Sequence, residues 1–493
     1  MRIAWICLAS TVALWTSSGC DDSPDADGDA DSDVDGDGDG DGDGDADSDG
    51  DMDADADGDT DSDADMDAAA PVPRLELWSE TEEGLVEVSE LIYAAPYYVR
   101  ATGCDGIEQA TIRSSLWGYE GWATFEVGSD GVIDTSLDAP LDGTYEGVDP
   151  DGLIWSMEPL AWRPTTNYDI DYTLEVDGEP VASVTMVRHG MGYKLEIEDV
   201  TEGGLVGELF HYGEDDPRPA VLVLGGSEGG LDSVALNAAW IATLGYAALG
   251  LAYFGEPGLP SELENIPLEY FEQALQWLDE HPAVSGSGVA VYGGSRGGEL
   301  ALLLGATFPE ITAVIASAPS SIVVGSVTSR DSAAWTLAGE PVEYIRFPAD
   351  SDPVTETLPD GRAGYRVSHI FLEAIDEATP ETLEAVTIPV EDAGGPILLV
   401  GGADDGLWPV CQLMEIALDR LVESGHQTTY GDESICFEDA GHLLGFPGWP
   451  TTESYAELPP TDPALVYGGT AAGTWRAQAD GQEVIREFLA AHL

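Results

Sequence analysis

A chain of 493 residues with 43% hydrophobic composition is long enough for two cores plus extensions, which excludes a single small module. Its formal net charge is −79, with only 16 lysines and arginines, and Lys194 is the one lysine. An electrostatic grip on nucleic acid or on anionic lipid needs clustered cations, so a nucleic-acid partner is excluded as a function class.

Residues 1–20 read as a secretory signal: Arg2, an apolar stretch from Ile3 to Trp15, then Ser17, Ser18 and Gly19 before Cys20. The stretch is too short for a permanent membrane span. Ser-Ser-Gly-Cys resembles the bacterial lipobox, although Ser17 stands where leucine is more common. The resemblance implies lipidation of Cys20, a membrane partner through that anchor and an exported cell-envelope lipoprotein, periplasmic or surface-exposed; ordinary signal cleavage is the alternative.

From Asp21 to about Ala70, aspartate alternates with Gly, Ala or Ser, without the apolar residues that could offset the entropy of ordering. The expectation is a disordered, self-repelling tether. About two dozen aspartates lie between Asp21 and Asp67, leaving roughly −55 on the rest, so the folded part is acidic in its own right. Alternating aspartates resemble part of a calcium loop, but no bidentate glutamate follows at the twelfth position, and a solvated spacer is the preferred reading. Setting aside Cys7 and Cys20 leaves Cys104, Cys411 and Cys436, too few for a disulfide scaffold. Cys411 and Cys436 could pair, with Cys104 left over.

Residues 71–200 carry short β-type runs, such as Leu91 to Tyr93, Tyr97 to Arg100, Trp122 to Val127 and Tyr172 to Val176, separated by Asp/Gly turns. They predict a β-sandwich domain. In residues 201–493 the pattern changes. Buried-strand runs at Ala220 to Leu224, Tyr246 to Leu251, Val289 to Tyr292, Ala313 to Ala316 and Ile397 to Val400 alternate with helical patterns, which predicts a parallel, doubly wound sheet. The fold class is therefore α/β.

Gly293-Gly294-Ser295-Arg296-Gly297 fits G-x-S-x-G, with the strand Val289 to Tyr292 before it and a helix from Gly298 after it. In a chain with 59 glycines the bare motif arises easily by chance; the strand-to-helix context is what points to an α/β-hydrolase with Ser295 as nucleophile. A serine hydroxyl needs a base, and this fold supplies its partners in the chain order Ser, Asp or Glu, His. After the strand Ile397 to Val400 comes the pair Asp404-Asp405. Asp404 is favoured as the orienting acid, Asp405 is the close alternative, and capping of the helix that begins near Pro409 is the competing role. Of the later histidines, His426 precedes the strand-like Gln427 to Tyr430 and His492 is terminal. His442, in a Gly-containing loop after Ser434 to Phe437, is the expected base. The turn Gly225 to Gly230 can present backbone N–H groups to an oxyanion, with Gly226, Ser227 and Arg296 as the expected donors. It lacks the Lys-Ser/Thr of a phosphate-binding loop.

These residues together resemble the acyl-CoA thioesterase and bile acid-CoA:amino acid N-acyltransferase family. The likeness rests on Gly143 to Met157 (GTYEGVDPDGLIWSM) in the N-terminal part and on VLVLGGSEGG, LAYFGEPGLP, IPLEYFEQAL, GGSRGGELALLL, GADDGLWP and DAGHLLGFP in the C-terminal part. It implies an N-terminal β-sandwich followed by an α/β-hydrolase, with nucleophile Ser295, an acid in the aspartate pair and base His442. Family members with serine at the nucleophile position look like hydrolases, whereas the amino-acid-conjugating branch has cysteine. The implied reaction is hydrolysis of acyl thioesters through an acyl-enzyme, with no metal or organic cofactor. A secretory signal and an acidic surface count against taking acyl-CoA itself as the substrate. The other readings are an exported carboxylesterase or amidase, and a surface-tethered binding lipoprotein without catalysis.

Overall fold

The computed structural model describes residues 72–493, apart from 82–83, 93–94, 161–168, 190–191, 193, 330, 349, 359–360, 446–447 and 457–462. The expected signal segment, the lipidation site Cys20 and the Asp-rich tether with its calcium question lie outside the described residues.

The N-terminal strands alternate buried and partly exposed residues, the period-2 pattern of a sheet covered on one face. Arg74–Thr81 pairs with Gly84–Val88 and Tyr98–Thr102 in one sheet. Gln109–Leu116 lies between Tyr119–Glu126 and Ile170–Val176 in a second, which continues to Glu179–His189. Leu77, Val99, Ile112, Phe125 and Leu174 fill one core, the expected β-sandwich. Trp475, from the C-terminal helix Ala471–His492, is buried in that same core.

The second layer system is an eight-stranded sheet whose strands are labelled along the chain: β1 Glu196–Val200, β2 Val206–His211, β3 Arg218–Leu224, β4 Ala247–Ala252, β5 Val284–Gly294, β6 Ile311–Ser317, β7 Ile397–Gly402 and β8 Glu433–Phe437. Their spatial order is β1-β2-β4-β3-β5-β6-β7-β8. β2 runs antiparallel to its neighbours and the strands from β4 to β8 are parallel. This is an α/β-hydrolase sheet. Two inner strands, β4 and β7, are buried at every residue, as strands covered by helices on both faces are. β1 belongs to this sheet, although the sequence pattern placed residues 196–200 with the sandwich.

One local expectation is corrected, and one competing role is removed. Gln427 to Tyr430 is not a strand but part of the single-turn helix His426–Tyr430, bracketed by Gly425 and Gly431, both at φ 82°. The buried His426 ring fixes that turn, with Nδ1 2.7 Å from Asp432 Oδ2 and Nε2 3.0 Å from Ala393 O. Asp404 does not cap the helix Val410–Ser424, which has no side-chain cap. Cys411, at the start of that helix, and Cys436, on β8, form a disulfide with Cα atoms 5.9 Å apart, and Cys104 is free and buried.

The sandwich grips the segment that follows His442. Arg188 Nη1 donates to Gly448 O at 2.5 Å, the Trp117 and Trp449 rings meet edge-on at 5.2 Å, and Thr452 Oγ1 donates to Met157 O at 2.7 Å. Tyr119 adds a hydrogen bond to Glu453, and Trp475 Nε1 donates to Asp151 Oδ2 at 3.1 Å.

Candidate active site

β5 ends at Gly294, and the helix Arg296–Thr307 begins one residue later. Ser295, between them, adopts φ 55° and ψ −120°, a conformation that L residues rarely take and that holds a side chain out at the top of the sheet. Hydrogen bonds fix it: Ser295 N donates to Ser317 O at 2.8 Å, and Gly298 N donates to Ser295 O at 2.9 Å. The flanking glycines are required by space. A Cβ on Gly293 would stand 2.0 Å from Gly297 O, and one on Gly297 would stand 2.6 Å from Leu224 O.

Ser295 Oγ lies 2.8 Å from His442 Nε2. His442 Nδ1 lies 2.6 Å from Asp405 Oδ2. The imidazole is buried, stacks on Tyr467 with centroids 6.3 Å apart, and its backbone N–H donates to Tyr467 O. A carboxylate oxygen only accepts, so Nδ1 carries a hydrogen and Nε2 is left to accept from the serine hydroxyl.

Asp404, favoured on sequence as the partner of His442, is not that partner. Its carboxylate faces Arg366, at 2.9 and 3.1 Å, and accepts the Gly469 N–H at 2.9 Å. Asp405 turns inward because its other oxygen, Oδ1, accepts the N–H groups of Leu407 and Trp408 at 2.7 and 3.0 Å. In this arrangement Asp405 folds back on the N–H groups two and three residues ahead, as aspartate commonly does in turns.

The turn after β3 is held by Tyr253, whose hydroxyl donates to Gly225 O at 2.7 Å. Of the expected oxyanion donors, Gly226 is already engaged, donating its N–H to Glu228 Oε1 at 2.9 Å. The Ser227 and Arg296 N–H groups have no protein acceptor among the described residues.

Behind the serine sits a buried ion pair that motif reasoning missed. The Arg296 side chain, 2% exposed, reaches the fully buried Glu299 at 2.9 Å. It also donates to Val324 O at 3.0 Å and Gly325 O at 2.8 Å. Glu299 in turn accepts from Trp335 Nε1 at 2.8 Å and from Val324 N at 3.3 Å. Burial pushes the Glu299 carboxyl above its usual range against the opposing pull of Arg296. The expected helix began at Gly298; because it begins at Arg296 instead, Arg296 and Glu299 stand at i,i+3 on one face.

A model of the C-terminal region described as "BAAT / Acyl-CoA thioester hydrolase C terminal" matches residues 266–493, and one for the "Acyl-CoA thioester hydrolase/BAAT N-terminal region" matches residues 94–202. Human acyl-coenzyme A thioesterase 1 is 29% identical over 419 residues, covering 81% of this chain and 93% of that protein. The mouse peroxisomal succinyl-coenzyme A thioesterase is 26% identical over 421 residues, covering 81% and 93%. An esterase of Pyrococcus furiosus is similar in structure at 13% identity and a TM-score of 0.33, covering 60% of this chain and 93% of that one. The two regions of one family together span most of the described residues, in the order of the sandwich and the hydrolase sheet, and the chain belongs to the acyl-CoA thioester hydrolase/BAAT family.

Proposed function

We propose that the protein is a serine hydrolase of acyl thioesters in which Ser295 is the nucleophile, His442 the base and Asp405 the orienting acid. The observation that carries this reading is the hydrogen-bonded line from Ser295 through His442 to Asp405, at 2.8 and 2.6 Å. Family membership and thioesterase relatives support the hydrolase class.

The chemistry follows from the geometry. Ser295 Oγ attacks the acyl carbonyl while Nε2 of His442 takes its proton, and the imidazolium is stabilised by the Asp405 carboxylate. The oxyanion sits against the Ser227 and Arg296 N–H groups. The leaving thiolate takes the proton from His442 and an acyl–Ser295 ester remains. Water, deprotonated by His442, then releases the acid.

The Cys411–Cys436 disulfide adds support for an oxidising location, which the Cys20 segment and its lipobox resemblance also favour, and we extend the proposal to an exported, lipid-anchored enzyme. Release of a diacylglyceryl-cysteine peptide beginning at Cys20 would establish the anchor; a mature chain that begins elsewhere removes it.

The catalytic reading is tested by labelling with a serine-directed fluorophosphonate and by hydrolysis of medium-chain acyl thioesters. Both are expected in the wild type and lost in Ser295→Ala. A folded wild type inert to both probes would leave the protein as a binding module.

A further inference from the structure

His442 and Asp405 are both held by two aromatic residues to which motif reasoning gave no role. Tyr467 follows the short strand Ala464–Val466. Its carbonyl accepts two backbone N–H groups, that of His442 at 2.9 Å and that of Gly406, next to Asp405, at 3.0 Å. One acceptor therefore ties the loop of the base to the loop of the acid. The approach is close on both sides: a Cβ on Gly406 would stand 2.2 Å from Val466 O, and one on Gly441 would stand 2.1 Å from Gly468 O. Tyr467 is itself anchored, because its N–H donates at 2.7 Å to the carbonyl of Ser454, which follows the sandwich-bound Thr452 and Glu453.

Trp408 acts on the acid side. Its backbone N–H donates to Asp405 Oδ1 at 3.0 Å, one of the bonds that leave Oδ2 for His442, and its ring lies 5.8 Å from the imidazole. The Tyr467 ring lies 6.3 Å from the imidazole and within 11° of parallel to it. Behind Trp408, Phe371 stacks on the indole at 5.6 Å, and Phe347 meets Phe371 edge-on at 4.7 Å. Trp408, Tyr467 and Phe371 are all buried. Close packing leaves such side chains few rotamers, so a ring beside the imidazole restricts how the imidazole can turn. The proton that passes from Ser295 Oγ to Nε2, and from there to the leaving sulfur, needs that ring in one orientation.

We infer that Trp408 and Tyr467 are positioning residues for this reaction: their backbones set the His442–Asp405 pair, and their rings hold the imidazole in line with Ser295. This role rests on the proposed Ser295–His442–Asp405 mechanism. A ring that acts through His442 affects the chemical steps and leaves substrate binding unchanged.

The test replaces each ring in the full chain, as Tyr467→Leu and Trp408→Leu, beside Tyr467→Phe and Trp408→Phe, which keep an aromatic face. Hydrolysis of S-octanoyl-N-acetylcysteamine is followed at steady state, and circular dichroism checks folding. Each leucine variant is expected to lose about tenfold or more in kcat with KM close to that of wild type, and the phenylalanine variants to recover most of the loss. The second readout is the His442 Nδ1–H, assigned as the downfield proton resonance that is absent from His442→Ala. It should be sharp in the wild type and phenylalanine variants and broadened in the leucine variants. A ring that served only the stability of the fold would lower the melting temperature and leave this resonance unchanged.

Phe371→Leu, in the helix Ser368–Glu377, removes the ring behind Trp408 from outside both loops. It keeps the inference open to refutation if Trp408→Leu does not fold, and a smaller loss in kcat with the same broadening is expected. Wild-type kcat, an unchanged resonance or a loss confined to KM in the folded leucine variants overturns the inference and leaves the hydrolase reading standing. A wild type without turnover above that of Ser295→Ala overturns both.

Discussion

His442 meets Asp405 at 2.6 Å, whereas Asp404, one residue earlier, turns its carboxylate onto Arg366 at 2.9 Å. The two aspartates should therefore respond differently to the same substitution. Asp405→Asn removes the acceptor that sets the His442 tautomer and is expected to lower kcat by on the order of 10³-fold or more. Asp404→Asn keeps an acceptor for Gly469 and weakens an ion pair that is partly exposed, so kcat should fall by less than about tenfold. Comparable losses in the two variants would refute the assignment of the acid.

The Arg296–Glu299 pair is buried on both sides, and a pair of this kind is costly to break by halves. Glu299→Ala leaves the Arg296 guanidinium buried without its counter-charge and the Trp335 and Val324 N–H groups without their acceptor. A loss of about 3 kcal/mol or more in unfolding free energy is expected from urea titration. A variant as stable as wild type would show that the pair is dispensable.

Joining Cys411 to Cys436 closes a loop across a sequence separation of 25 residues that contains all but the first residue of the helix Val410–Ser424 and the turn His426–Tyr430. Replacing both cysteines by alanine is expected to lower stability by about 3 kcal/mol through the entropy of the unfolded chain. Thermal melts of oxidised wild type and the double variant measure it, and coincident melts would contradict the expectation.

Asp151, where the sandwich meets Trp475, has its carboxyl raised to about 6 by burial, opposed by the Trp475 hydrogen bond and reinforced by Asp149. Arg188 acts on the neighbouring Tyr97 and Tyr172, and Arg476 faces Asp149 at 3.9 Å. Because the folded state holds this proton more tightly than the unfolded state, its contribution to stability is fully present below pH 4 and is lost as pH rises through about 6. Asp151→Asn retains an acceptor for Trp475 and should flatten that decline, gaining stability relative to wild type at pH 7 but not at pH 4. Parallel pH–stability curves for the two proteins would remove Asp151 as the cause.

How much of the site was legible depended on how local its physics is. Ser295 declared itself because a strained strand-to-helix turn needs glycines at set positions, and the close approaches of Gly293 and Gly297 are the spatial form of that need. His442 followed from chain order and its place after β8. The choice between Asp404 and Asp405 was not legible in the same way, because two identical adjacent side chains are sorted by distant partners. Arg366 and Gly469 lie 38 and 65 residues from Asp404. Gly226 was misjudged for a nearer reason: the rotamer of Glu228 brings its carboxylate back onto that N–H, and rotamers are set by packing.

The sequence by itself determined the α/β class and the order of sandwich and hydrolase, and it singled out Ser295 and His442 as the candidate nucleophile and base, since hydrophobic periodicity, glycine placement and motif context are properties of neighbouring residues. Only the tertiary structure decided which aspartate faces His442, which N–H groups stay available beside Ser295, that Arg296 and Glu299 are buried together, and that the sandwich grips the segment after His442. Each of these is a contact between groups far apart in the chain or a choice among side-chain rotamers, and such choices are made by the packed interior rather than by local pattern.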